Sequence, residues 1–345
     1  MNSPSCTLDG IRAARARIGP HIHRTPVLSS RTLDDLASAR LFFKCENFQR
    51  AGVFKARGAY NAVFGLTEAE AGLGVATHSS GNHGAALALA ARTRGIPACI
   101  VVPKNALRGK IENIRRYGGR IEFCEPTLAD REATLARVQG QTGARPVHPF
   151  NDPFVIAGQG TAALELMEDH PTLDAIFAPV GGGGLLSGTA VAAKGLKPGI
   201  RVFGAEPAGA DDAARSLREG KLVAQTNPQT IADGLRTSLG SLTFPLIRRY
   251  AEDIITVSDS ATIEAMRLVW SVLKIVIEPS SAVAVAAVLQ AAPSLKGQCV
   301  GVILSGGNAE LEHLPWAAGG TAGSAQPEDF MKAAKDHLPA HGIDR

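Results

Sequence analysis

The sequence predicts an α/β fold with parallel or mostly parallel twisted sheets flanked by helices. Two observations carry that expectation. Short β-branched runs alternate with Ala/Leu-rich helical stretches along most of the chain, which is the pattern of strand–helix–strand crossovers. The 345 residues suit one large domain or two interleaved ones, and 45% hydrophobic against 20% charged residues describes a globular protein rather than a disordered one.

Taken in order, the candidate strands cover residues 41–44, 74–78, 98–102, 121–124, 175–180, 201–206 and 300–304. The candidate helices cover 85–93, 108–117, 128–139, 160–169, 185–194, 261–273 and 282–291. Crossover units within about 73–150 form one cluster, and the elements after 155 form another. Residues 317–326 are small and polar, a linker composition. Residues 327–338 read either as a short helix or as a disordered tail.

Charge and cysteine usage exclude several classes. The formal net charge is +4, with both signs mixed along the chain and no Lys/Arg tract or aromatic–basic interleaving of the kind that binds nucleic acid. The five cysteines are far apart, odd in number and without CxxC spacing, so neither a disulfide framework nor a structural zinc site is expected. No apolar run reaches the roughly 18 residues of a membrane span. The first residues lack a basic region followed by an apolar core. The expectation is a cytoplasmic protein with no membrane partner.

Four segments carry chemistry. In Ala51-Gly-Val-Phe-Lys-Ala-Arg-Gly-Ala-Tyr60, Lys55 lies between Phe54 and small residues. A lysine desolvated in an apolar cleft has a lowered pKa and a reachable neutral amine, and Phe54 can pack beside a flat ring. Gly181, Gly182, Gly183 and Gly184 follow an apolar strand and precede a helix that begins at Leu185. There, backbone N–H groups can converge on an anion with the helix dipole behind them, a phosphate cradle that has neither the Walker nor the dinucleotide spacing. Ser79-Ser80-Gly81-Asn82-His83-Gly84 follows a strand and opens a helix, and by the same logic can bind an α-carboxylate. Ser79 and Ser80 also suit plain N-caps, and His83 suits a packed helix-start histidine. Ser305-Gly306-Gly307-Asn308 ends the last strand. Separately, Glu206, Ala210 and Asp212 offer two carboxylates and a backbone carbonyl, a hard-oxygen set for a cation, or else a strand-end turn and helix cap.

Those four segments, in that order, resemble the serine/threonine dehydratase and serine racemase family of fold type II pyridoxal-phosphate enzymes. The resemblance runs from about residue 7 to about residue 316. It implies a large cofactor-binding domain from 1–72 and 151–316, a small mobile domain from 73–150, a linker-like tail from 317–345, and a homodimer. It implies that Lys55 bonds the cofactor aldehyde and that Asn82 bonds the ring's phenolic oxygen. Ser80 then serves as acid/base on the face opposite the lysine, Arg131 closes onto the substrate, and Ser305 pairs with the pyridine nitrogen. Gly234 and Glu278 match cofactor-side loops. A cation at Glu206, Ala210 and Asp212 is implied too: Mg²⁺, Mn²⁺, Ca²⁺ or K⁺.

A hydroxyl at Ser305 cannot hold the pyridine nitrogen protonated as a carboxylate can, so the ring is a weaker electron sink. That favours β-elimination over transamination. The expected activity is therefore that of an ammonia-lyase acting on an L-β-hydroxy-α-amino acid such as serine, threonine, 3-hydroxyaspartate or 3-phenylserine. Lys55 is the expected base, and the segment from His148 to Pro153 borders the side-chain pocket. Two other readings stand beside it: an amino-acid racemase using Lys55 and Ser80, and a non-catalytic binding protein, which would be expected to have lost Lys55 or the glycines. The regulatory domain of biosynthetic threonine dehydratases has no counterpart after residue 316, so end-product feedback is not expected.

Overall fold

The computed structural model describes residues 6–79, 81–106 and 108–316. Its strands are β1 (Val27–Leu28), β2 (Arg40–Cys45), β3 (Val75–His78), β4 (Ala98–Pro103), β5 (Arg120–Cys124), β6 (Arg145–Pro146), β7 (Ala175–Pro179), β8 (Arg201–Pro207), β9 (Asp253–Val257) and β10 (Cys299–Leu304). They form two sheets. The first has the order β1-β2-β10-β7-β8-β9 and is parallel except for the short β1–β2 pair. The second, β5-β4-β3-β6, is wholly parallel and comes from residues between β2 and β7. Every residue of β4, β7 and β10 is buried, as parallel strands covered on both faces should be. The α/β expectation with mostly parallel sheets holds.

The strands read from sequence are all present. Missing from that reading were β1 and β6, each two residues long, and β9, whose Ile-Ile-Thr-Val run is a strand signal the reading passed over. The helix expected from residue 160 opens at Pro153 and runs to Asp169. Its start was legible in principle. Asp152 Oδ1 accepts the N–H groups of Phe154 (2.8 Å) and Val155 (3.2 Å), and Pro153 takes the first helical position, where a missing N–H costs nothing.

The sequence reading placed no helix at Lys55. That residue begins the helix Lys55–Phe64, which crosses the helix Pro153–Asp169 at backbone contact. A Cβ on Gly58 would stand 2.6 Å from Gln159 Nε2 and 2.8 Å from the Val155 carbonyl, and one on Gly158 would stand 2.6 Å from the Arg57 carbonyl. The two glycines thus permit the crossing. One apolar core, including Leu166, Ile176, Val202 and Ile303, lies against the first sheet. Another, including Tyr60, Leu87, Ile100 and Ile114, lies against the second.

Residues to Ala309 form one compact unit. A second begins at Glu310, and its described part, 310–316, holds a single 3₁₀ turn, Leu311–His313. The tail expected from 317 lies outside the described residues. Cys6, Cys45, Cys99, Cys124 and Cys299 are free thiols. No helix among the described residues is long and apolar enough to cross a membrane.

Candidate active site

The Lys55 amine donates to the Pro149 carbonyl at 2.8 Å and lies 5.1 Å from the centre of the Phe54 ring. The side chain is only partly exposed. Desolvation pulls its pKa down to about 8, against the opposing pull of the Glu278 carboxylate. About a tenth of the amine is therefore neutral at pH 7, far more than for an ordinary lysine.

What fixes the first turn of this helix escaped the sequence reading. Arg57 is fully buried. Its Nε donates to Glu46 Oε2 (2.7 Å), Nη1 to Glu165 Oε1 (2.8 Å), and Nη2 to Glu46 Oε1 and Glu165 Oε2 (both 2.8 Å). Lys44, also fully buried, donates to Glu165 Oε2 (2.7 Å) and to the Thr25 carbonyl (2.8 Å). Two cations and two carboxylates cancel, and every one has a partner. The nearby F-K-A-R spacing was visible, but its partners lie 11 and 108 residues away.

Around Lys55 the chain is laced to the end of β10. Val53 bridges Gly306, the Phe54 N–H donates to the Ser305 carbonyl (2.9 Å), and the Glu278 N–H donates to the Gly306 carbonyl (3.0 Å). Ser305 is buried, and its hydroxyl has no partner among the described residues. Asn82 Nδ2 donates to both Glu278 oxygens (2.9 and 3.1 Å), while Asn82 Oδ1 accepts from Asn308 Nδ2 (2.8 Å). Burial, reinforced by Asp233, pushes the Glu278 carboxyl up to about 7.

The glycine loop lies between β7 and the helix Gly184–Leu196, with Leu185 buried in its first turn. Gly183 has φ +86°, a conformation that favours glycine. A Cβ at Gly182 would collide with the Phe150 ring, and one at Gly181 would stand 2.9 Å from Leu235 Cα, beside Gly234. The N–H groups of residues 181–184 have no partner among the described residues. Gly234 N–H donates to Ser280 Oγ (3.1 Å).

The helix Asn82–Arg94 is capped by Gly81, with no side-chain cap, so Ser79 is not the N-cap. Ser80 lies outside the described residues. His83 is buried, its Nε2 is 3.2 Å from the Val147 carbonyl, and burial holds its pKa well below the usual histidine range. It is the packed histidine of the two readings. Arg131 donates from Nη2 to the Pro126 carbonyl (3.3 Å), and its buried Nε has no partner.

At the candidate cation site, Glu206 is fully buried. Its oxygens accept the Ala213 (2.9 Å) and Ala214 (2.8 Å) N–H groups, so it caps the helix Asp212–Glu219. Asp212 is fully buried too, and both its oxygens lack a hydrogen-bond partner. Burial raises the two carboxyls to about 8 and about 6. Among the described residues, no three His, Cys, Asp or Glu side chains gather as a metal cluster.

The structure thus brings Lys55, Asn82, residues 181–185, Gly234, Glu278 and Ser305 into one connected arrangement. The family model "Pyridoxal-phosphate dependent enzyme" matches residues 18–306. A β-hydroxyaspartate dehydratase of Paracoccus denitrificans (strain Pd 1222) is 52% identical over 310 residues, covering 90% of this chain and 98% of that one. The crystal structure of serine racemase from Dictyostelium discoideum superposes with a TM-score of 0.86 at 49% identity, covering 88% of this chain and 99% of that one. That of the T.th. threonine deaminase does so with a TM-score of 0.84 at 44% identity, over the same shares of the two chains. With most of its length matched by the model and by relatives well above 30% identity, the chain belongs to the pyridoxal-phosphate dependent enzyme family.

Proposed function

We propose that the chain is an ammonia-lyase that converts an L-β-hydroxy-α-amino acid to a 2-oxo acid and ammonia. The residues present fit pyridoxal phosphate. The unpartnered N–H groups of 181–184, at the N-terminus of the helix Gly184–Leu196, suit the phosphate. The amine of Lys55, drawn down to about 8, suits the aldehyde. Asn82 and Ser305 complete the ring's polar surroundings. When bound, the cofactor supplies an aldehyde for amine capture and a ring that spreads the electron pair left at Cα.

The chain's own residues divide the remaining work. Lys55 Nζ takes the α-proton as general base. The first-turn N–H groups after Gly81 hold the α-carboxylate, with Ser79 and Ser80 beside them and Arg131 closing over the substrate. Glu206, the Ala210 carbonyl and Asp212 hold a cation, and the support is the buried, unpartnered Asp212 carboxylate. Residues 73–150 act as a small mobile domain against the rest, and two chains pair as a homodimer.

The observation that carries the lyase reading is the hydroxyl of Ser305 at the end of β10. The buried carboxylate of Glu278, a residue tied to this strand end through Gly306, is already engaged by Asn82. The dehydratase and deaminase names among the relatives agree with it. The test is borohydride reduction of the loaded enzyme with peptide mapping, together with a screen of 3-hydroxy amino acids for 2-oxo acid release. The adduct is expected on Lys55, and Lys55→Ala should release no oxo acid. An adduct on another lysine, or no oxo acid from any 3-hydroxy amino acid, sinks the reading.

A further inference from the structure

Beside Lys55 lies a pair of imidazoles with unused donors. His148 follows β6, and the Lys55 amine bonds to the carbonyl of the very next residue, Pro149. His148 Nδ1 accepts the backbone N–H groups of Asn151 (2.9 Å) and Phe150 (3.3 Å). Two donors on one ring nitrogen fix the neutral tautomer: Nδ1 is the acceptor, and the proton sits on Nε2. That Nε2–H has no partner among the described residues. His78, the last residue of β3, meets His148 edge-on, with ring centres 5.8 Å apart and planes at 88°. Neither nitrogen of its ring has a partner among the described residues. Phe150 closes the other side of His148, its ring centre 4.5 Å away at 85°.

Of the charged groups, the Lys55 amine bears on His148, while both signs bear on His78. Lys55 and His78 both disfavour protonation of His148, which burial already pulls down to about 4. Burial also lowers His78, against the opposing pull of Glu132 and with a smaller push from Arg131. Both imidazoles are therefore neutral near pH 7. They are poor proton donors to a leaving group but sound hydrogen-bond donors to an acceptor. Half-buried N–H donors without a partner, beside the Lys55 amine, match an anionic acceptor.

We infer that His78 and His148 form the subsite for an acidic substrate side chain, so that the preferred substrate carries a second carboxylate at Cβ. This rests on the lyase reading for the reaction, though not for the binding. It separates 3-hydroxyaspartate from threonine, serine and 3-phenylserine, whose side chains offer these donors no anion. A site built to hydrogen-bond a polar group rejects analogues lacking it far more strongly than an apolar pocket rejects a missing methylene.

The variants follow from the geometry. Asparagine at 148 can place Oδ1 where Nδ1 was, keeping the bonds from Phe150 and Asn151 while removing the Nε2 donor. His78→Leu removes the other ring's donors. On the loaded enzymes, with cofactor absorbance and melting temperature confirming intact protein, two ratios are measured. One is kcat/KM for 3-hydroxyaspartate over that for serine. The other is inhibitory affinity for succinate over that for its monocarboxylate counterpart butyrate. In the parent enzyme both ratios should exceed about tenfold, and His148→Asn and His78→Leu should each lower both by about tenfold or more. Succinate and butyrate binding alike in the parent overturns the inference. So do ratios within about threefold of the parent in both variants. If the parent releases no oxo acid from any hydroxy amino acid, the lyase reading fails, and the succinate comparison still decides the subsite.

Discussion

Lys55 and Glu278 are perturbed in opposite senses, and both shifts favour the uncharged form. The amine is pulled down to about 8 and the carboxyl pushed up to about 7. For Glu278, ionisation in the folded state is penalised. The stability it contributes is fully present below its ordinary value of 4.5 and is lost as pH rises through about 7. For Lys55, protonation is penalised, so stability recovers only above about 8, toward its ordinary 10.5. Between pH 4.5 and 7 Glu278 shares the slope with Glu206 and Asp212, whose carboxyls burial raises in the same sense. Glu278→Gln keeps an acceptor for Asn82 and removes the titration. In cofactor-free protein it should flatten the loss of stability over that window and raise stability at pH 7.5, with a ceiling of about 3 kcal/mol. Urea denaturation at pH 4.5 and 7.5 measures it, and parallel pH dependence in parent and variant would contradict the assignment.

At the scale of elements, the glycine loop and the helix crossings separate what sequence shows from what it hides. Four successive glycines after an apolar strand marked the turn for which a phosphate cradle is proposed. That Gly182 faces Phe150 was not legible, since it depends on how the chain returns after β6. Gly182→Ala should displace either the loop or Phe150. Cofactor retention after gel filtration should fall at least about tenfold, the loss expected when a phosphate cradle loses one or two of its N–H bonds. The helix beginning at Lys55 was missed in the sequence, where two glycines flank the lysine. One of them, Gly58, instead allows close approach of a second helix, which no local pattern announces. At the end of β8, the spacing of Glu206, Ala210 and Asp212 could not distinguish a cap from a cation site. The structure shows Glu206 capping a helix while Asp212 stays buried without a hydrogen-bond partner. Adding Mg²⁺, Ca²⁺ or K⁺ to chelated enzyme should raise its melting temperature. The gain at a hundredfold excess over Kd would be about 2.7 kcal/mol. Asp212→Ala should abolish the response, and equal responses in parent and variant would remove the site.

For the whole molecule, the Lys44–Glu46–Arg57–Glu165 cluster ties β2, the turn after it, the Lys55 helix and the Pro153–Asp169 helix into one buried unit. Its four charges balance, so deleting one strands another in a dry interior. Glu165→Ala should cost about 3–5 kcal/mol by denaturant unfolding. A cost below about 1 kcal/mol would show the cluster to be open to water. The network also explains why the site was less legible than the fold. Fold class followed from local alternation along the chain, whereas the mount of Lys55 depends on partners far apart in sequence. The same distance hid the pairing of His78 with His148.

The central claim is that this scaffold eliminates rather than racemises. It is tested most directly by incubating the loaded enzyme with one L-threo 3-hydroxy amino acid and measuring 2-oxo acid and inverted amino acid in the same tube. With a neutral hydroxyl at Ser305 and the glycine cradle at hand, the 2-oxo acid should be the dominant product and inversion a minor one. Inverted amino acid far in excess of 2-oxo acid would contradict the account and make the chain a racemase.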